Sequence, residues 1–178
     1  MTDLTGIPAL SIRQPWAWAI LHAGKRIENR EWRGGCSYRG PVLIHASLWP
    51  AGFKLDKSPA VSIPAADAHH EAQAMLAMAG NAGAPLPDKV TLRMLYEHRG
   101  GIVGRANIVG VVERGQVRID GAENELQHAP RPLTATERAW WVGGFGLVLD
   151  DVEPLPFVAC KGALGLFRPD LTPPSGAR

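Results

Sequence analysis

Residues 102–113 constrain the fold more than any other stretch. Their β-branched side chains suit a pleated strand, while Gly104 and Gly110 fall where such a strand would bend or bulge. Two further apolar runs, 41–46 and 145–152, read as strands, Pro154 and Pro156 as a turn, and 165–167 as a last short strand. The segments between them do not alternate strand with helix regularly enough for a parallel doubly wound sheet. The expected class is therefore α+β: a small, mostly antiparallel β-barrel with flanking short helices and a helical insertion at about residues 50–100.

Helix signals fill the gaps. Pro15 suits a first helical position and Gly24 a C-terminal cap, which predicts a short, mostly buried helix over 15–23. An alanine-rich helix over 65–79 is closed by Gly80. A second, capped by Asp88, is expected to run to about His98, and a third over 134–140 is capped by Thr134 or Thr136. Residues 1–8 read as a loose lead, 49–64 as a loop and 114–132 as a polar connection. The expectation is one domain over 1–169 and a disordered tail over 170–178, rich in Pro, Gly and Ser.

The chain has 178 residues, enough for one full hydrophobic core, and its 46% hydrophobic and 20% charged content is that of a globular protein. No window is apolar for long enough to span a membrane, and residues 1–10 carry Asp3 and no basic region, so a cytoplasmic protein without membrane contact is expected. Cys36 and Cys160 belong to no C-x-x-C pair and no Cys/His cluster, so neither a metal nor a cofactor is expected. Two reduced thiols fit that compartment, although a disulfide between them stays open. No G-x-G-x-x-G or phosphate-binding loop is present. The net charge of +2, from 19 basic and 17 acidic residues, is too balanced for binding a long nucleic acid by charge alone.

Chemistry concentrates in Gly24-Lys25-Arg26-Ile27-Glu28-Asn29-Arg30-Glu31-Trp32, preceded by Gln14-Pro15-Trp16. Lys25 falls at a helix C-terminus, where the dipole favours a cation. On a strand, Glu28, Arg30 and Trp32 share one face while Ile27 takes the other. An arginine beside a carboxylate holds it ionised and oriented. Two cations, a fixed carboxylate and an aromatic wall at Trp16 or Trp32 make a pocket for a planar, polar, anionic ligand such as a nucleotide. The plainer alternatives are a solvated mixed-charge face for the strand, a core role for Trp16 and Trp18, and a core role for His45 on its apolar strand.

Five further runs widen the comparison: Leu10-Ser11-Ile12-Arg13-Gln14-Pro15-Trp16-Ala17, Tyr38-Arg39-Gly40-Pro41-Val42-Leu43-Ile44-His45-Ala46-Ser47, Ile108-Val109-Gly110-Val111-Val112, and the stretches 140–149 and 160–167. With the Lys-x-x-Glu-x-Arg core at Lys25, Glu28 and Arg30, they resemble the ASCH family, the activating signal cointegrator homology domains. The resemblance implies a PUA-like β-barrel with a cleft beside the first helix, and a role with RNA or modified nucleosides. It places Lys25, Glu28 and Arg30 in the signature positions, with Gln14, Pro15 and Trp16 edging the cleft.

Relatives of this kind include nucleic-acid binders, proteins that cut single-stranded RNA, and amidohydrolases acting on acetylated cytidine. The amidohydrolases carry a threonine nucleophile where this chain has Glu28. As an enzyme, the chain would use Glu28 as a general base and Lys25 to polarise a carbonyl, or His45 or Glu28 as the base of a metal-independent ribonuclease, with Tyr38 at hand. Many relatives show a Ser-Pro pair before Trp140, whereas here Arg138-Ala139 stand, which weakens serine-dependent cleavage. The leading expectation is a binder of single-stranded RNA or a modified nucleoside, with Gln14, Trp16, Lys25, Glu28, Arg30, Trp32, Tyr38 and His45 as ligand contacts and Arg33 and Arg39 on a basic rim. A third expectation is an accessory domain whose protein partner docks on the helical insertion, through an exposed stripe of Met75, Leu76 and Met78.

Overall fold

Pro15 and Gly24 do punctuate a helix in the computed structural model, which describes residues 4–32, 35–48, 65–117, 123–127 and 131–172. Helix α1 spans Trp16–His22, with Pro15 as its N-cap rather than its first residue and Ala23 as its C-cap. Gly24 then adopts φ +65°, a left-handed turn that glycine makes without a Cβ clash. The turn leads into β2 (Ile27–Arg30), while β1 (Ala9–Ile12) precedes the helix. Next come β3 (Gly40–Ala46), α2 (Ala65–Asn81), α3 (Leu92–Tyr96), β4 (Gly101–Val117), β5 (Glu123–Gln127), α4 (Ala135–Trp140), β6 (Phe145–Ala159) and β7 (Leu166–Phe167).

The strands form one curled sheet in the order β2-β6-β4-β3-β1-β7, with β5 on the far part of β4. All pairs are antiparallel except β1 with β3. The two end strands, β2 and β7, do not pair, so the α+β architecture is a half-barrel. Gly104 and Gly110 lie at register shifts between β4 and β6, as bulge glycines should. Inside the curl, Leu10, Ile12, Val42, Ile44, Ile108 and Leu147 form one core with Ala17 and Ile20 of α1. A second core, on the outer side, joins Ile27, Val112 and Val148 to Trp18, Met75, Tyr96 and Trp140, and so seats α2, α3 and α4 on the sheet.

Several expectations change. Helix α2 continues through Gly80 to Asn81, and the reversal falls on Gly83 at φ +62°. Thr91, not Asp88, caps α3 by accepting from Met94 N at 3.3 Å, and that helix ends at Tyr96. Pro154 and Pro156 do not turn the chain, because β6 runs through them to Ala159. Beyond Val148 its register partners lie only on β4, so a missing proline N–H can face the open edge. Met75 is fully buried, with Leu76 and Met78 packed on the same core, so they form no exposed stripe. The loop expected over 49–64 and the tail beyond 172 lie outside the described residues.

Candidate functional site

The Gly24 turn sends the Lys25 backbone N–H to Ala19 O at 3.1 Å and tucks residue 25 against the end of α1. Its side chain is only 1% exposed. Within that buried space Nζ donates to Glu28 Oε2 at 2.7 Å and to Ile27 O. Burial pushes the ammonium below its usual pKa, and the Glu28 carboxylate works against that shift.

Strand alternation puts Glu28 and Arg30 on the same side of β2, while Ile27 enters the outer core. Arg30 Nη2 lies 3.3 Å from Glu28 Oε1 and donates to Ser11 O at 2.6 Å. One carboxylate thus sits between two cations, and the guanidinium ties β2 to the end of β1. Among the described residues, Arg30 Nε is buried and has no hydrogen-bond partner.

These three side chains border a single cleft of about 260 Å³, whose other walls are Ser11, Ile12, Arg13, Trp16, Asn29 and Val142. Three cations and one carboxylate line it, so it favours an anion. Trp16 supplies its aromatic wall. Asn29 shapes the far wall by donating Nδ2–H to Trp140 O at 2.9 Å and accepting Val142 N–H at 2.8 Å, which fixes the end of α4 beside the strand. Arg13 at the rim pairs with Glu71 of α2 at 3.3 Å.

The other expected contacts sit elsewhere. Gln14 is buried and serves α1, accepting Trp18 N–H at 2.9 Å and donating to His98 O at 3.1 Å. Trp32 lies past the end of β2, where it packs on Phe145 at 6.2 Å and under Arg30 at 5.6 Å. The Tyr38 hydroxyl donates to Pro41 O at 2.6 Å, and Arg39 bonds the carbonyls of Cys36 and Tyr38. Arg33 is outside the described residues. His45 is buried on β3, beside a second groove. Ser11, Arg13, Asn29 and Val142 carry no role in the sequence analysis, although all four stand within the runs singled out there.

Cys36 and Cys160 are free thiols. Among the described residues no cluster of His, Cys, Asp or Glu could hold a metal ion, and no helix is long and apolar enough to cross a membrane. A search of curated proteins returns no match. The family model of the ASCH domain matches residues 10–143, a span that holds every residue lining the cleft, and the chain belongs to the ASCH domain family.

Proposed function

We propose that the Lys25–Glu28–Arg30 cleft binds single-stranded RNA or a modified nucleoside, one base at a time. The observation that carries this reading is the convergence of an ammonium, a carboxylate and a guanidinium on one 260 Å³ hollow walled by Trp16. Glu28 can accept from a base edge, the cations can take a phosphate or carbonyl oxygen, and the indole can stack.

The test is fluorescence anisotropy with a short labelled single-stranded RNA, alongside tryptophan quenching by nucleosides. Arg30→Ala is expected to weaken binding by roughly 10–100-fold, the worth of a lost charge-assisted hydrogen bond. Arg39→Ala is expected to change little. Equal losses in the two variants would overturn the reading.

Hydrolysis in the same cleft is a second reading, favoured by the lowered pKa of buried Lys25. It requires acetate release from acetylated cytidine, or shortening of RNA without added metal. Binding without either product leaves the first reading standing alone.

A further inference from the structure

Ser11 and His45 face each other across the parallel pair of β1 and β3, as register partners whose side chains leave the sheet on the same side. Ser11 Oγ lies 3.2 Å from His45 Nδ1, and His45 Nε2 lies 3.2 Å from Cys160 O. A carbonyl oxygen only accepts, so Nε2 carries the ring proton, Nδ1 is the acceptor and the Ser11 hydroxyl donates to it. Burial lowers the His45 pKa and keeps the ring neutral, and the edge of its ring contact with Phe167, at 5.7 Å, helps hold its orientation. Gly162 permits the close approach of the covering loop: a Cβ there would lie 2.5 Å from His45 Cε1 and 2.9 Å from Ser11 Oγ.

This pair opens on a groove of about 450 Å³ whose walls are largely apolar, including Leu48 and Leu164. Leu164 is 99% exposed and Leu48 69%. Among the described residues, Lys161 is the one ammonium along it. A hydroxyl bonded to a neutral imidazole, an imidazole oriented through its other nitrogen, and an adjoining apolar hollow together satisfy the geometry of an activated nucleophile.

We propose that Ser11 and His45 form a catalytic site, which cleaves carboxylic esters carrying a short apolar acyl group. Ser11 Oγ forms the bond to the acyl carbon as its proton passes to His45 Nδ1. The ester C–O bond breaks, and the departing alkoxide takes that proton as the alcohol. Water then adds to the acyl-serine while His45 removes its proton. The Ser11 oxygen leaves with that proton, which releases the acid and restores the pair. The apolar walls receive the acyl chain, and Lys161, on the groove's wall, is the cation that would meet the oxygen that becomes anionic.

The experiment uses the full chain with p-nitrophenyl butyrate, reading p-nitrophenolate release and the site of butyrylation by peptide mass mapping. Release above the buffer rate with butyrate on Ser11 is the expected result. Ser11→Ala should abolish both signals, and His45→Asn should slow release by 100-fold or more. Release unchanged in Ser11→Ala, or butyrate found only on Lys161, overturns the proposal. Because His45→Asn can fail to fold, the unaltered protein is also treated with a fluorophosphonate. Label on Ser11 supports the site, and folded protein left unlabelled there overturns it.

Discussion

Glu28 is the hinge of the charged group, because it alone offers negative charge to two cations. Removing one partner of a buried ion pair is strongly destabilising when it strands a charge, and much less so when the remaining charge keeps another partner. The two ends of the Lys25–Glu28 bond are therefore unequal. Lys25→Met keeps the buried aliphatic stem and leaves Glu28 paired with Arg30, so its expected cost is below about 2 kcal/mol. Glu28→Ala leaves a fully buried ammonium beside a guanidinium and is expected to lose about 3–5 kcal/mol. Urea unfolding of both variants measures the difference, and the reverse order would show that Arg30 does not hold Glu28. At this scale Lys25, Glu28 and Arg30 were legible because all three lie within one short local pattern of turn and strand. Trp32 leaves that face because β2 stops at Arg30, so the alternation that aligns residues 28 and 30 does not govern residue 32. Ser11 and His45 are 34 residues apart and meet through strand pairing, which no spacing in the sequence reports.

Among the elements, β6 shows most clearly how composition and pairing interact. Gly146 sits opposite Asn29, and a Cβ there would lie 2.7 Å from Ile27 Cγ2 and 3.0 Å from Val112 Cγ2. Both neighbours are fully buried β-branched residues with little freedom to withdraw. Gly146→Ala is therefore expected to destabilise by about 1–3 kcal/mol, the usual range for overpacking a core. The measurement is the urea midpoint, and a rise in stability would mean that β2 can shift outward freely. Gly143, at φ +92° with open space around it, is a different case, since alanine there meets backbone strain and no clash. The strong runs of β3, β4 and early β6 announced themselves through β-branched residues. Strand β1, four residues long, was hidden beside the proline that starts α1, and β5 lay within a polar stretch. The later part of β6 was hidden by its prolines, whose tolerance depends on an open strand edge.

For the whole molecule, the outer core makes the stability of the sheet and of its helical layer a shared property, and one acid-sensitive contact lies where they meet. Thr134 and Glu137 form a reciprocal capping box at the start of α4, with Glu137 N–H bonding Thr134 Oγ1 at 3.2 Å and Thr134 N–H bonding Glu137 Oε2 at 2.7 Å. Arg131 adds a two-pronged bond, 2.8 Å at each carboxylate oxygen. The Arg131 guanidinium and the cap hold the Glu137 carboxyl down to about 2, from 4.5 when free. Between those values the unfolded chain binds more protons than the folded one, so stability falls as pH falls. The contribution is complete above about pH 5 and lost by about pH 2. Arg131 is half exposed, and solvent screening brings the expected size to roughly 1–2 kcal/mol. Helix α4 ends in Trp140, which is fully buried in the outer core, so loosening the cap is felt by α2 and β2 together. Chemical denaturation at a series of pH values should therefore show an acid limb that Glu137→Gln flattens, with a lower plateau at neutral pH. An unchanged limb in that variant would place the acid sensitivity of the fold in other carboxylates.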